Sequence, residues 1–589
     1  MSHKESRGAS KNNLSRRQVL TAGSTAAAAA ALGGRSSAKV VVSSQQGIPV
    51  PAPAPTVWFK EPPVIQSSGG VLSHDFKIVG STPPGATEMK RFYNGLPLGP
   101  TMKVKRNDCL LLNFINELPK DQCNQANLDF CCSKIADVAC CDPDHNKPHC
   151  FNTTNLHTHG LHVSAAAFLN NNGELIASDE VLLEIEPGEL QKYCIWLPNF
   201  HAPGSYWYHA HKHGSVALQL SSGNGLCGAI IIQEDVDEQI LDPNKPDRVW
   251  IMQEQVDDQA SLVYSCLGPA PTSFTINGCF QPTLKMAAGQ VQRWRFINAT
   301  ATPRGFGTIQ LLDSNDNPVP YLHAIAVDGI TFYGKAPQTT TGWVLPPGGR
   351  VDFLVRIPPT VKAQTYKVHK APVPGVFSTI DQDLAFIQLS NFAVNDQLPA
   401  VLPQRPNRTC YLEPIFKAEL KPDPVVFAVG GMTCGGQPPG TLIPTDFTID
   451  GAKFDPDVVN HKIPLGDVQE WELQNTSAAL HPFHIHVNPF QVVGEKVDPA
   501  GPDDPTNWMW RDTVAIPTGS VPNPGQVNIR HRFLTYDGKF VLHCHILNHE
   551  DLGMMQIVQV GKTTYDPDTG ARISGNGIGP CEPAYNCSF

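Results

Sequence analysis

Charge is scarce in this sequence. Of its 589 residues only 17% are Asp, Glu, Lys or Arg, against about 25% in an average globular chain. The 44 basic residues are outnumbered by 54 acidic ones, a formal net charge of −10 at pH 7. That balance excludes a basic nucleic-acid binder, and the low charge excludes a coiled coil. Methionine is sparse, at 9 residues. No apolar run approaches the roughly 20 residues a membrane-spanning helix needs, so no stable membrane anchor is expected. What is abundant is punctuation: 48 Gly and 53 Pro divide the chain into short segments. Without the strict period of a collagen or the charge of a disordered chain, this composition suits a turn-rich, mostly β protein.

The N-terminus points outward. Ser15-Arg16-Arg17-Gln18-Val19-Leu20 precedes a weakly apolar, alanine-rich run from Thr21 to Leu32. Paired arginines before such a run resemble a twin-arginine export signal, a receptor-read address. The twin-arginine machinery is then a partner, and the periplasm or the extracellular space the destination. Because that route carries folded proteins, often with a cofactor already loaded, it hints at a bound metal. Cysteine usage agrees. Of 16 Cys, six (Cys123, Cys131, Cys132, Cys140, Cys141 and Cys150) crowd one stretch, which in an oxidising compartment favours disulfides. Zinc is the rival, since His145 and His149 lie among them, but no C-x-x-C pair is present.

One pattern occurs three times. Asn94-Gly95 leads to Leu112-Asn113-Phe114-Ile115-Asn116, Asn277-Gly278 to Trp294-Arg295-Phe296-Ile297-Asn298, and Asp450-Gly451 to Trp471-Glu472-Leu473-Gln474-Asn475. In each, a turn dipeptide precedes a strand-like run that ends in Asn. The near-even spacing predicts three copies of a β domain of ordinary size, read as sandwiches or small Greek-key barrels. The expected organisation is a signal and Pro-rich leader over 1–55 and a first domain over 56–237, with the Cys-rich insertion at 119–151. A second domain follows over 238–400, a third over 401–562, and a tail over 563–589.

Four His-x-His pairs stand out: His157/His159, His209/His211, His484/His486 and His543/His545. In a strand, residues i and i+2 share a face, so each pair offers two imidazoles to one side. One such pair is commonplace, but four predict a metal cluster. Two pairs lie in the first repeat and two in the third, which places the cluster at a domain interface. His481, Cys544, His549 and Met554 supply a second set: one thiolate, two imidazoles and a thioether, the donors of a blue-copper electron-transfer site. Cys544 lies between His543 and His545, so its side chain faces opposite to theirs, and one peptide links the two centres.

With these motifs the chain resembles the multicopper oxidases. His157-Thr158-His159-Gly160, Trp207-Tyr208-His209-Ala210-His211, His481-Pro482-Phe483-His484-Ile485-His486 and His543-Cys544-His545 through Met554 look like that family's four signatures. The resemblance covers about residues 60–562. It implies an all-β chain of three consecutive cupredoxin-like domains carrying four copper ions. One ion is a type 1 copper on His481, Cys544, His549 and Met554, and one is a type 2 copper on His157 and His484. The other two form a type 3 pair, one on His159, His209 and His545 and the other on His211, His486 and His543. Glu550 matches the family's proton-relay position, and Asp179 the carboxylate that orients water beside the type 2 copper. His213 is read as a neighbour of the cluster rather than a ligand. The implied activity is laccase-like, coupling oxidation of phenols or aromatic amines to reduction of dioxygen to water. The alternatives are a metal-ion oxidase for Cu(I), Fe(II) or Mn(II), and a copper-binding protein without turnover. Four departures bear on the substrate: Thr158 stands where many members carry Trp, the Ser164–Asp179 loop is long, the Cys-rich insertion has no counterpart, and there is no Met-rich segment of the sort seen in cuprous-ion oxidases.

Overall fold

The computed structural model describes residues 56–561 apart from 83–87, 121–144, 147, 222, 256–272, 363, 375, 377–379, 419 and 431–445. The export-signal motif, most of the Cys-rich insertion and the expected tail therefore lie outside the described residues. Among the described residues no helix is long and apolar enough to cross a membrane.

The thrice-repeated motif plays one structural part each time. At each turn dipeptide both residues have positive φ: 53° and 71° at Asn94-Gly95, 51° and 73° at Asn277-Gly278, and 53° and 77° at Asp450-Gly451. That conformation suits Asn, Asp and Gly and matches strand twist. The Asx side chain then reaches across the sheet, where Asn94 accepts from the backbone N–H of Lys77, Asn277 from Ile251 and Asp450 from Val426. The run ending in Asn pairs in parallel with an earlier strand: Cys109–Asn116 with Val71–Ser81, Val291–Asn298 with Asp247–Gln255, and Val468–Asn475 with Val425–Gly430. Its terminal amide donates to two carbonyls, Asn152 and Ile185 for Asn116, Gly305 and Leu345 for Asn298, and Ala479 and Pro517 for Asn475. One asparagine thus ties strand end to loop in every repeat.

The fold is all-β, with three cupredoxin-like sandwiches in succession. Two sheets draw their strands from residues 64–232, two from 247–393 and two from 425–561. Each pair encloses its own apolar core. Phe76, Tyr93 and Phe114 mark the first core, Trp250, Trp294 and Phe296 the second, and Trp471, Phe483 and Phe540 the third. Alternation inside a strand sets which face is buried: Cys109–Asn116 sends Leu110, Leu112 and Phe114 inward. The boundary expected at 237/238 falls inside a short helix, Asp235–Ile240, capped at Glu234. The long loop after the first His pair forms a hairpin, Ala167–Leu169 with Leu175–Ala177.

Candidate metal centre

The eight paired histidines converge. His157–His159 lies antiparallel to Gly204–His209, with His157 opposite His209. His481–Ile485 lies antiparallel to Gly538–Cys544, with His484 opposite His543. The first and third sandwiches then meet with their histidine faces together. His157 stacks on His486 with ring centroids 3.7 Å apart and planes 7° from parallel, and His159 stacks on His484 at 3.8 Å and 9°. Nitrogens close across the interface, His211 Nε2 to His543 Nε2 at 3.1 Å and His545 Nε2 to His159 Nδ1 at 3.2 Å, while within the third sandwich His486 Nε2 lies 3.4 Å from His543 Nε2. All eight rings are buried.

Several of these imidazoles are held from behind. His157 Nδ1 lies 3.0 Å from Asp179 Oδ2, His209 Nδ1 2.8 Å from the Ala210 carbonyl, and His484 Nδ1 2.8 Å from the Asp512 carbonyl. Their Nε2 atoms are buried and have no hydrogen-bond partner among the described residues. A buried polar atom left unsatisfied is costly, and an imidazole with one nitrogen fixed and the other bare is the usual state of a metal ligand. The donor set fits copper.

The second constellation is equally buried. Cys544 Sγ lies 3.4 Å from His481 Nδ1 and 3.9 Å from His549 Nδ1. Met554 is wholly buried in the same apolar cluster as Cys544, and its carbonyl accepts from the Cys544 N–H at 3.1 Å. His481 Nε2 is fixed by Ser477 Oγ at 2.8 Å, and Phe447 stacks on His549 at 4.2 Å. Of the two imidazoles, His549 keeps 3% exposure and His481 none. Burial pushes the Cys544 thiol well above its ordinary range, so binding a metal there releases a proton.

The carboxylates are placed as follows. Asp179 is not on a solvated loop: it is 1% exposed, it accepts from the Thr158 N–H at 2.7 Å, and burial raises its carboxyl to about 7. Glu550 is fully buried, with Oε1 3.6 Å from His213 Nδ1 and 4.0 Å from His211 Nδ1, and Oε2 3.9 Å from His543 Nδ1. His213 thus faces Glu550 behind the cluster. Two acids were missed in the sequence. Asp551 accepts the N–H groups of Gly214, Val216 and Ala217, tying the loop after His211 to the helix Leu547–Asp551. Asp512 contacts His159 and His484 directly, and no local pattern marks it.

A profile of the multicopper oxidase family matches residues 431–564, which hold the blue-site residues and four of the paired histidines. A laccase of Haloferax volcanii is 26% identical over 365 residues, covering 59% of this chain and 58% of its own length. A laccase of Bacillus subtilis is 24% identical and covers 80% of this chain and 89% of its own. The chain is similar to the multicopper oxidases along most of its length. The fold likeness extends further: a Campylobacter jejuni multicopper oxidase described as a metallo-oxidase superposes with a TM-score of 0.62 at 21% identity, covering 86% of this chain and 96% of that one. A multicopper oxidase is a copper-dependent oxidoreductase with dioxygen as acceptor, and the convergence of buried imidazoles here is in keeping with that chemistry.

Burial makes the copper-free oxidase acid-sensitive. It holds His211, His481 and His484 down to about 3 and drives His157, His159, His209, His486, His543 and His545 well below 6.5. Between about 3 and 6.5 the unfolded chain therefore binds more protons at these sites, so stability rises with pH there and is lost on acidification. Asp179 and Asp551, both raised to about 7, act in the opposite sense but are outnumbered. The melting temperature of copper-free protein should fall steadily from pH 6.5 downward. A flat profile in calorimetry would contradict the burial of neutral imidazoles.

Proposed function

We propose that this oxidase takes electrons singly from small electron-rich phenols or aromatic amines and delivers them to dioxygen through four copper ions. The observation that carries this reading is the placement of Cys544. Its sulfur sits beside His481 and His549 while its chain neighbours His543 and His545 face the eight-histidine cluster. The ligand assignment is the one the family resemblance implies, and two of its sets, His211/His486/His543 and His481/Cys544/His549, have their donor atoms gathered here. His481, Cys544, His549 and Met554 hold a type 1 copper, and His157 and His484 a type 2 copper. His159, His209 and His545 hold one type 3 ion, and His211, His486 and His543 the other. Every three-residue group among His157/His159/His209, His157/His484/His486, His211/His486/His543 and His481/Cys544/His549 has its donor atoms within 4.8 Å. Bound copper supplies one-electron redox steps that together meet the four-electron demand of dioxygen.

The residues divide the remaining work. His549, with its sliver of exposure, is the edge through which a donor is oxidised. Asp179 fixes the Nδ1 proton of His157, leaving Nε2 as the metal donor, and stands beside the type 2 position to orient water. Glu550 holds a proton inside the protein, because burial keeps its acid form well above the ordinary carboxyl range. A metal-ion donor is the second reading, favoured by the likeness to a protein described as a metallo-oxidase. Rates of oxygen uptake on dimethoxyphenol, Cu(I), Fe(II) and Mn(II) separate the two. A phenol rate far below the metal-ion rates would overturn the first reading, and no uptake with any donor would overturn both.

Export through the twin-arginine pathway to an oxidising compartment is part of the same proposal. Arg16-Arg17 before the alanine-rich run supports it, as do Cys109 and Cys410, which are disulfide-bonded. Replacing both arginines, Arg16→Lys with Arg17→Lys, should strand the protein in the cytoplasm. Immunoblots of fractionated cells give the readout, and normal secretion of the double variant would count against the pathway.

A further inference from the structure

The middle sandwich contributes none of the four His-x-His pairs, yet one of its loops, residues 346–350, reaches the cluster. Arg350 at the start of the strand Arg350–Arg356 is completely buried. Its guanidinium grips Asp512 of the third sandwich with two prongs, Nη1 to Oδ1 at 2.6 Å and Nη2 to Oδ2 at 2.5 Å. Asp328, also from the middle sandwich, accepts the Arg350 N–H at 3.0 Å through Oδ1 and the N–H groups of Asp512 and Thr513 at 3.2 Å through Oδ2. Such an ensemble is costly to desolvate unless fully paired, and here every charge has a partner.

Asp512 passes this fixation to two cluster rings. Its carbonyl lies 2.8 Å from His484 Nδ1, and its Oδ1 lies 3.3 Å from His159 Nε2. His159 is therefore turned the other way from His157, His209 and His484, with Nε2 toward the acid and Nδ1 toward His545 Nε2 at 3.2 Å. A proton on Nε2, donated to Asp512, leaves the Nδ1 lone pair for a metal. The same loop touches a third ring. Gly348 has φ +82°, and a Cβ placed there would lie 2.6 Å from His545 Cδ2 and Cγ. Gly160, next to His159, has no room for a side chain either, since its Cβ would meet Arg350 Nη2 at 2.2 Å.

We infer that the 346–350 loop positions three cluster ligands, with Arg350 acting through Asp512 on His159 and His484, and Gly348 walling the ring of His545. Arg350 and Asp512 are positioning residues. A planar two-pronged grip is what a guanidinium gives and an ammonium does not, so charge alone does not suffice. This inference rests on the reading that those histidines hold copper.

The test uses copper-loaded full-length protein and two variants. Arg350→Lys keeps the charge and loses the fork. Gly348→Ala places a methyl against His545, and Gly188→Ala serves as its control, because Gly188 also has positive φ (+97°) but nothing within 4 Å of its Cβ. In Arg350→Lys the blue colour should be unchanged, while the hyperfine splitting of the mononuclear copper on His157 and His484 shifts in electron paramagnetic resonance. Retention of cluster copper against a chelator should weaken about 10–100-fold, as for other partners of metal-binding histidines. Gly348→Ala should lose cluster copper where Gly188→Ala does not. Variants whose resonance spectra and copper retention match the parent would overturn the inference alone, even if their melting temperatures fall. A parent that takes up only the blue copper would overturn the ligand reading and this inference with it.

Discussion

Cys544→Ser should give a colourless protein whose oxidase rate falls to background with every donor. The blue band needs a thiolate bound to copper, and a hydroxyl is too hard and too basic to replace it. Cys544 is also the covalent link between the two centres, one peptide bond from His543 on one side and His545 on the other. The substitution nearly preserves volume in a wholly buried position, so the fold should survive. An added hydroxyl without a good partner costs about 1–3 kcal/mol, and His481 Nδ1 nearby reduces that. Copper retained by the eight histidines should be seen by metal analysis alongside the missing blue band. A variant that kept colour and turnover would refute the blue-site assignment.

Glu550→Gln should lower turnover by about 10²–10⁴-fold, the contribution of a positioned acid–base group. Making water from dioxygen consumes protons in a buried place, and the Glu550 carboxyl is wholly buried within 4.0 Å of the Nδ1 atoms of His211 and His543. Its acid form is held well above the ordinary carboxyl range, first by burial and then by Asp551 beside it, so it is still protonated, and able to donate, where a solvated carboxyl has already ionised. On its outer side stands His213, 3.6 Å away, beside a cavity of about 240 Å³ that His145, His149, Lys212 and His213 help to line. The amide keeps the shape but carries no titratable proton. Copper content should be unchanged and anaerobic bleaching of the blue colour should stay fast, while reoxidation by dioxygen slows equally for every donor. A defect confined to one donor would move Glu550 to the donor site, and full activity would remove it from the proton path.

What the sequence determined by itself was whatever repeats at short range. The period of two in a strand sets both histidines of each pair on one face, so His157/His159 and His543/His545 were legible as ligands. Cys544 between its two histidines was legible as the link for the same reason. The Asx-Gly turns and the runs ending in Asn116, Asn298 and Asn475 carried the threefold architecture, because a two-residue turn with positive φ and a strand-end amide are local devices. Only the tertiary structure decided which imidazole meets which: His211 and His543 are 332 residues apart in the chain, and His159 and His545 are 386 apart. It also decided the nitrogen each ring presents, since that depends on partners such as Asp179 and Asp512 that arrive from other segments. The burial of Asp179 against His157 has no local sign in the sequence, because it depends on how the long loop packs. Arg350, Asp328 and Asp512 were invisible as a unit, because a buried charge is stable only when distant residues complete it. The chain thus writes its donor atoms locally, while their orientation comes from contacts between sandwiches that no single stretch contains.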